Sequence, residues 1–311
     1  MREVGRGRHI DLTSPRGYYL DYSRWADAAG PTDAAGLPVR LAGAAERSPR
    51  HVARYALGNL ELYLEGGSES RRNRFASAAR WITDNMEFVP GSFGSWAMPD
   101  PPAAFRGDLE PGWFSGSAHA ECVSVLVRAS LLLSLSGAIE AAAEAFPAFR
   151  TPVAEGGLLR EVGEAGHEGA VDSLAIVEEF PMADRASMVL LGHVRALWAI
   201  FDYARASRDD AARRLFDRCT SGLEFLLHRY DLGFWTRLDL DARWRGPRLS
   251  SPAGIAEQAL SLRIVHQMTQ RTAFSDAGAR WSRYAESAGP RLRASVQRLA
   301  FRLANPGAPA H

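Results

Sequence analysis

The chain of 311 residues contains no lysine, so all 37 of its basic residues are arginines. Without a lysine amine the chain cannot form a Schiff base, which excludes pyridoxal-phosphate enzymes and class I aldolases. A P-loop NTPase is excluded too, because its phosphate-binding loop needs a lysine. Every cation available to a site is therefore a forked guanidinium that stays charged.

Cysteine and net charge are also low. Cys122 and Cys219 lie far apart, which is typical of free thiols in a reducing compartment. The net charge of +1 argues against a dedicated nucleic-acid binder. The stretch from Val123 to Leu135 is too short to span a bilayer, and the polar N-terminus does not resemble a signal peptide. We therefore expect a cytoplasmic protein with no nucleic-acid or membrane partner.

Apolar residues recur with the 3.6-residue spacing of amphipathic helices along most of the chain. This spacing predicts helices over 50–65, 70–86, 114–136, 138–147, 187–206, 209–228, 252–270, 273–286 and 288–304. Leu158–Val162 and Ser173–Glu178 are predicted to form a hairpin across a Gly-rich turn, and 234–240 is predicted to be extended. The segment 88–112 is predicted to be a long loop. The fold class is mainly α, an (α/α) toroid or barrel with small β-hairpin insertions, although periodicity cannot separate a toroid from a bundle.

The helical pattern predicts one main domain over 49–304. Residues 1–48 are expected to form an N-terminal extension that packs on it, and 305–311 a disordered tail. No internal repeat of fixed period is visible. The histidines and cysteines lack the spacing of a metal site, and no dinucleotide-binding fingerprint is present, so we expect neither a metal nor a cofactor.

Segments along nearly the whole chain carry a family resemblance, among them five between residues 111 and 268. They are PGWFSGSAHAECVSVLVRA (111–129), VEEFP (177–181), VLLGHVRALWAIFDYAR (189–205), LHRYDLGFWTRLDL (227–240) and AEQALSLRIVHQM (256–268). In this order they resemble the C-terminal catalytic domain of D-glucuronyl C5-epimerases, which convert glucuronic to iduronic acid in heparan-type glycans. The resemblance implies an (α/α) toroid, isomerase chemistry, a sugar-acid or related small-molecule substrate and, for this type of fold, a homodimer.

The resemblance also implies that tyrosines act as acid and base, and here the chain departs from the family. Phe180, Leu238 and approximately Ser251 stand where the family has those tyrosines. A phenyl or aliphatic side chain can neither take nor return a proton, so epimerisation by the family's own mechanism is not expected.

Carboxylates and histidines remain as candidate catalytic groups. Glu179 and Asp239 are retained within the family motifs, and His119 and Glu121 replace two family glutamines. His193 lies in an otherwise apolar helix and is a further candidate. Residues two apart lie on different sides of a helix, so only one of His119 and Glu121 is expected to face a cavity.

Each candidate also has a structural interpretation. The two histidines could be hydrogen-bonded core residues, and Asp239 could fix a turn. Glu179 could cap a helix or pair with Arg185 or Arg195.

Substrate contacts are expected from loops and strand ends on the cavity side, where aromatic rings could stack and arginines could hold an anion. The alternative for each aromatic ring is core packing. The predicted substrate-binding residues are Glu178, Phe180, Trp113, Phe114, Trp96, Trp235, Leu238, Arg185 and Arg237.

Three functions fit these observations. The first is a divergent enzyme that uses proton transfer for isomerisation, epimerisation or cyclisation of a small molecule in a bacterial biosynthetic pathway. The second is a uronic-acid polysaccharide C5-epimerase with relocated catalytic groups. The third is a non-catalytic glycan-binding protein, because loss of three tyrosines also describes a pseudoenzyme.

Overall fold

The computed structural model describes residues 16–27, 32, 36–38, 48–89, 92–99, 101–163, 174–306 and 308. Within these residues the protein is mainly helical, as predicted, and the helix ends lie close to the predicted ones. The helices are α1 (Pro49–Gly66), α2 (Glu69–Asp84), α3 (Gly116–Leu133), α4 (Ala138–Ala145), α5 (Leu190–Ser207), α6 (Asp210–Tyr230), α7 (Pro252–Thr269), α8 (Thr272–Glu286) and α9 (Ala288–Ala304).

Two small antiparallel hairpins interrupt the helices. β3 (Leu159–Glu161) pairs with β4 (Ala175–Val177), which confirms the predicted hairpin, although its turn lies outside the described residues. β1 (Glu87–Val89) pairs with β2 (Phe93–Ser95), so the prediction of an unbroken loop over 88–112 is wrong. These strands of three residues are too short for an alternation of apolar and polar residues to be visible.

The run 234–240 contains no strand of its own. It is held by isolated bridges, of which one joins Thr236 to Asp231 and another joins Arg237 to Leu249.

The helices pack as a series of pairs. α1 packs on α3, α3 on α5 and α5 on α7, and each of these is covered by the next helix in the chain, from α2 to α8. We call α1, α3, α5 and α7 the inner helices. Extensive packing of α7 on α1 is absent from the described part of the chain, so closure into a toroid stays a prediction.

The segments that connect the helices show where a site can form. Each inner helix leads to its outer partner through a short turn, whereas the connections back to the next inner helix are long. The start of α3 lies against Glu178, whose carbonyl oxygen would be 2.2 Å from a Cβ at Gly116. The long connections therefore gather at the N-terminal ends of the inner helices, and we call this end the mouth.

The helix α3 is long and apolar enough to cross a membrane by composition alone. Most of it is buried inside the fold, which is typical of the central helix of a core. Cys122 and Cys219 are both buried and free, as expected from their spacing.

Candidate functional site

His119, the fourth residue of α3, faces the outer layer of helices. Its Nε2 donates to the carbonyl oxygen of Ala145 at 3.0 Å, which leaves Nδ1 to accept from the Ser95 hydroxyl at 3.1 Å. Burial lowers its pKa to about 4 because the charged ring would lose its hydration. The structure therefore places His119 as a neutral group that ties β2 to α3 and α4.

His193, the fourth residue of α5, is held in the same way. Its Nδ1 accepts from the backbone of Val177 at 2.9 Å, and its Nε2 donates to the carbonyl oxygen of Cys219 at 3.1 Å. Burial lowers this pKa to about 4 as well. In both cases a histidine at the fourth position of an inner helix joins a β-hairpin to an outer helix. The structure thus contains a repeat that the sequence does not display.

Glu121 faces the opposite way from His119, toward the other inner helices. Arg54 Nε donates to it at 3.0 Å, Arg195 lies 3.3 Å away, and the Tyr22 hydroxyl donates to it at 2.7 Å. Arg195 also pairs with Glu257. Burial opposes ionisation of Glu121, but the two arginines outweigh it and lower its pKa.

The four charged members of this cluster share one position in their helices. Arg54, Glu121, Arg195 and Glu257 are each the sixth residue of α1, α3, α5 and α7. Because residues at the same position of each helix are in contact, the inner helices run parallel and begin at the same height. We call these four residues the charge belt.

A second buried polar level lies two turns further along α3 and α5. The fully buried Arg128 and Asp202 form an ion pair at 2.6 Å, and the Tyr19 hydroxyl donates to Asp202 at 2.7 Å. Arg128 also donates to the carbonyl oxygen of Gly17 at 3.0 Å. Residues 17–22 therefore lie along the inner helices, from the second level to the charge belt.

Glu179 lies at the mouth, against the first turn of α3. It accepts from Arg50 at 2.6 Å, from the Ser115 hydroxyl at 2.7 Å and from the backbone of Ser117 at 2.8 Å. A Cβ at Gly192 would lie 2.8 Å from the Glu179 side chain, so the glycine lets α5 approach closely. Glu179 thus caps α3 and pairs with Arg50, whereas Arg185 and Arg195, the partners considered from sequence, bind other carboxylates.

Glu178 points away from Glu179, as expected for adjacent residues at a strand end. It accepts from Arg160 at 2.7 Å and from the hydroxyl and backbone of Ser187 and the backbone of Met188. Burial raises its pKa. These donors occupy both oxygens, so Glu178 holds the turn before α5 in place.

Asp239 is the buried carboxyl of the mouth with the fewest donors. Arg248 pairs with one oxygen at 2.9 Å, and the other accepts only a long bond of 3.3 Å from the backbone of Asp241. Burial raises its pKa to about 6. Arg237, two residues earlier, is half-buried and has no carboxylate partner in the described part of the chain.

Most aromatic candidates belong to the packing of the fold. Trp96 and Trp235 are buried in the main core, and their indoles donate to backbone carbonyls. Phe180 is half-buried and stacks on Phe105 at 4.1 Å, with Trp113 packed on its side. Of these rings, Phe180 directly follows Glu179 in the sequence and lies at the mouth.

Two further candidates complete the mouth. Phe114 is half-buried against the main core, and Leu238, also half-buried, accepts a bond from the backbone of Leu190 at the start of α5. Arg185 pairs with Asp108 at 2.5 Å. Substrate contacts by these residues stay predictions.

Residues 92–283 match the family described as D-glucuronyl C5-epimerase C-terminus. The chain belongs to this family. The D-glucuronyl C5-epimerase of Caenorhabditis elegans is 25% identical over 186 residues, which are 55% of this chain and 28% of that protein. The chain thus spans less than a third of that relative's length.

Two of the clefts on the described surface are not lined by these carboxylates. One of about 740 Å³ lies between α1, α2 and the N-terminal residues, and one of about 650 Å³ lies beside β1, where Trp81 and Met98 line it. Neither cleft is lined by Glu179 or Asp239. In the described part of the chain, no three metal-ligating side chains form a cluster.

Several polar residues of the interior were not predicted from the sequence. They are Tyr22, Arg50, Arg54, Ser115, Arg248 and Glu257. The position that Arg54 and Glu257 share with Glu121 and Arg195 is visible only from the helix starts in the structure. The predicted starts at 50, 114, 187 and 252 give the four residues four different positions. No local signal marks Tyr22, which lies outside any periodic segment.

Proposed function

We propose that this family member is an isomerase that shifts a proton beside the carboxylate of a small sugar acid at the mouth. The observation that carries this proposal is Asp239, a buried carboxyl with a pKa raised to about 6 and one weakly bonded oxygen. A base with such a pKa can take a proton from carbon and return it near neutral pH.

Arg237 supplies the second requirement of this reaction. Removal of a proton beside a carboxylate places negative charge on the carboxylate oxygens, and a guanidinium without a protein partner can hold it. Arg237, two residues from Asp239, has no carboxylate partner among the described residues, and its buried Nε has no hydrogen-bond partner there.

One base on one face favours a proton shift over an inversion. Inversion requires acid and base groups on opposite faces of the carbon, whereas a proton shift can use one group for both steps. Phe180 and Leu238 give the mouth apolar side chains where the family resemblance implies tyrosines. The proposed step applies to a sugar acid that has a carbon–carbon double bond next to the carbon beside the carboxylate. Asp239 takes the proton from that carbon, and the electron pair of the broken C–H bond forms an extended enolate. Asp239 then returns the proton to the far carbon of the original double bond, and the double bond moves one position toward the carboxylate.

The ion pairs of the mouth favour a small substrate over a polymer. Arg50, Arg160, Arg185 and Arg248 are each paired with a carboxylate of the chain. A groove for a polyanion would present several arginines without partners. The half-buried Arg237, which has no carboxylate partner among the described residues, matches one carboxylate of a small molecule.

Solvent exchange tests this proposal. The protein is incubated with small sugar acids in deuterated water, and deuterium at the carbon beside the carboxylate is measured by mass spectrometry. Asp239→Asn is expected to lower the exchange rate by at least about 10²-fold, whereas Asp210→Asn on exposed α6 leaves it unchanged. The wild-type rate is expected to rise with pH through about 6.

The engaged carboxylates of the mouth favour a second candidate, a glycan-binding protein without catalysis. Glu178 and Glu179 are each held by several donors, and a fully bonded carboxylate is a poor base. Binding of a glucuronate polymer with no deuterium in it or in any small acid would favour this candidate over the isomerase. Deuterium at C5 of the polymer would instead favour a polysaccharide epimerase.

A further inference from the structure

The helix α9 presents a row of apolar side chains to solvent. Leu292, Val296, Leu299 and Leu303 are 70%, 62%, 60% and 77% exposed. Their spacing of four, three and four residues places them in one stripe along the helix. We call these four residues the α9 stripe. Large aliphatic side chains exposed together in this way mark a binding surface.

The opposite side of α9 already packs on the protein. Ala294 and Phe301 are buried there, and Trp244 packs on Phe301 at 5.9 Å. Arg293 lies over the ring of Phe234 at 3.8 Å, and Arg298 donates to the carbonyl oxygen of Ser250 at 3.2 Å. The inward face thus fixes the helix, and the stripe is available to something outside the described fold.

The charge of α9 indicates what could cover the stripe. The helix contains four arginines and no acidic residue. Arg291 and Arg302 are exposed on one flank of the stripe and have no carboxylate partner in the described ranges. A second copy of α9 would bring arginine against arginine, so self-association through this helix is opposed, whereas an anionic surface would be attracted.

The small size of the stripe separates a lipid surface from an acidic protein. A stable protein interface buries about 800 Å² on each partner and uses 20–30 residues, whereas the stripe is four side chains on one helix. A helix lying in a membrane interface needs only one apolar face and flanking basic residues. We propose that α9 docks the protein reversibly on bilayers that contain anionic phospholipid.

The α9 stripe lies on a different part of the molecule from the mouth, so membrane docking does not depend on the proposed isomerase activity. This docking also differs from a membrane span, because the helix would lie in the plane of the interface. The expectation of no membrane partner came from the absence of a long apolar run, and an interfacial helix requires none.

Vesicle co-sedimentation tests this docking. The full chain is mixed with vesicles of phosphatidylcholine alone or with phosphatidylglycerol added, and the bound fraction is measured at low and high salt. Binding is expected only with phosphatidylglycerol and is expected to weaken with salt. Leu299→Glu is expected to weaken it at least about tenfold, and Arg302→Gln about fivefold.

A matched control is Phe88→Glu, because Phe88 is 63% exposed on β1, away from the stripe. It should bind vesicles like the wild type. The thermal midpoints of all variants show that they are folded, which is expected because the altered side chains are exposed.

Three outcomes would overturn the proposal. They are equal binding by the wild type and Leu299→Glu, no binding to anionic vesicles, and a dimer in light scattering that Leu299→Glu dissociates. The last result would assign the stripe to a second copy of the chain.

Discussion

The inner helices carry arginine–carboxylate pairs in two regions that differ in their access to solvent. In the interior, Arg128 and Asp202 are fully buried, and Tyr19 covers them from the N-terminal segment. At the mouth, Glu179 is almost buried, but its partner Arg50 keeps 28% of its side chain exposed. The same chemical pair therefore stabilises the fold in one region and can meet a ligand in the other.

Residue type alone does not show which region a charged group belongs to. Glu121 and Glu179 are both carboxylates with arginine partners, but Glu121 is closed off by Tyr22. The comparison predicts the largest loss of stability when the fully buried ion pair is broken, and an effect at the mouth that depends on pH.

Removal of Arg128 should produce the largest effect. Arg128→Ala leaves the carboxylate of Asp202 buried without its cation, which costs about 3–5 kcal/mol of unfolding free energy. Urea denaturation measures the loss. The control is Arg213→Ala, whose pair with Asp210 is mostly exposed and should contribute less than about 1 kcal/mol. Similar losses in the two variants would remove the distinction between buried and exposed pairs.

The next effect, at the mouth, depends on pH. Folded Asp239 keeps its proton up to about pH 6, whereas the unfolded chain releases it near pH 4. Between these values the folded state binds more protons, so the stability from this group is lost as pH rises. Relative to Asp239→Asn, the wild type should therefore lose on the order of 2–3 kcal/mol between about pH 4 and pH 7.

Denaturation of both proteins across this pH range measures that change. The substitution also removes the contact between Asp239 and Arg248. That loss is already present in the stability difference between the two proteins at the lowest pH, so the change of this difference with pH reports the titration of Asp239. A difference that stays constant with pH would show that Asp239 titrates alike in the folded and unfolded chains.

The smallest expected effect is a loss of stability at the charge belt. Tyr22→Phe removes one of three groups that contact Glu121 and should cost about 1–2 kcal/mol, because the two arginines remain. Tyr63→Phe is the matched control, since the Tyr63 hydroxyl has no bonded partner in the described residues. Equal stability of the two variants would mean that the Tyr22 hydroxyl contributes nothing to the belt.

The helices were predictable because their evidence is local. Apolar spacing and end signals such as Ser48 before Pro49 lie within each helix, and the structure has the helices where the spacing predicts them. The first hairpin was not predictable in this way, because strands of three residues within 88–112 carry no period.

The interior polar contacts were less predictable because they join distant segments. Helix geometry predicts that His119 and Glu121 point to different sides, but not which side is inward. Tyr22 contacts a residue 99 positions away, and nothing near it in the sequence marks that contact. The raised pKa of Asp239 likewise depends on burial by other segments.

The position of residues 17–22 has a consequence for the order of folding. This segment precedes α1 to α9, but its Tyr19 bonds to Asp202, 183 residues later. Contacts across such a separation close large loops and form slowly. During synthesis the segment must therefore wait until α5 exists before it can dock. We infer that the polar interior is completed late, and that α3 has an uncovered inner face until then.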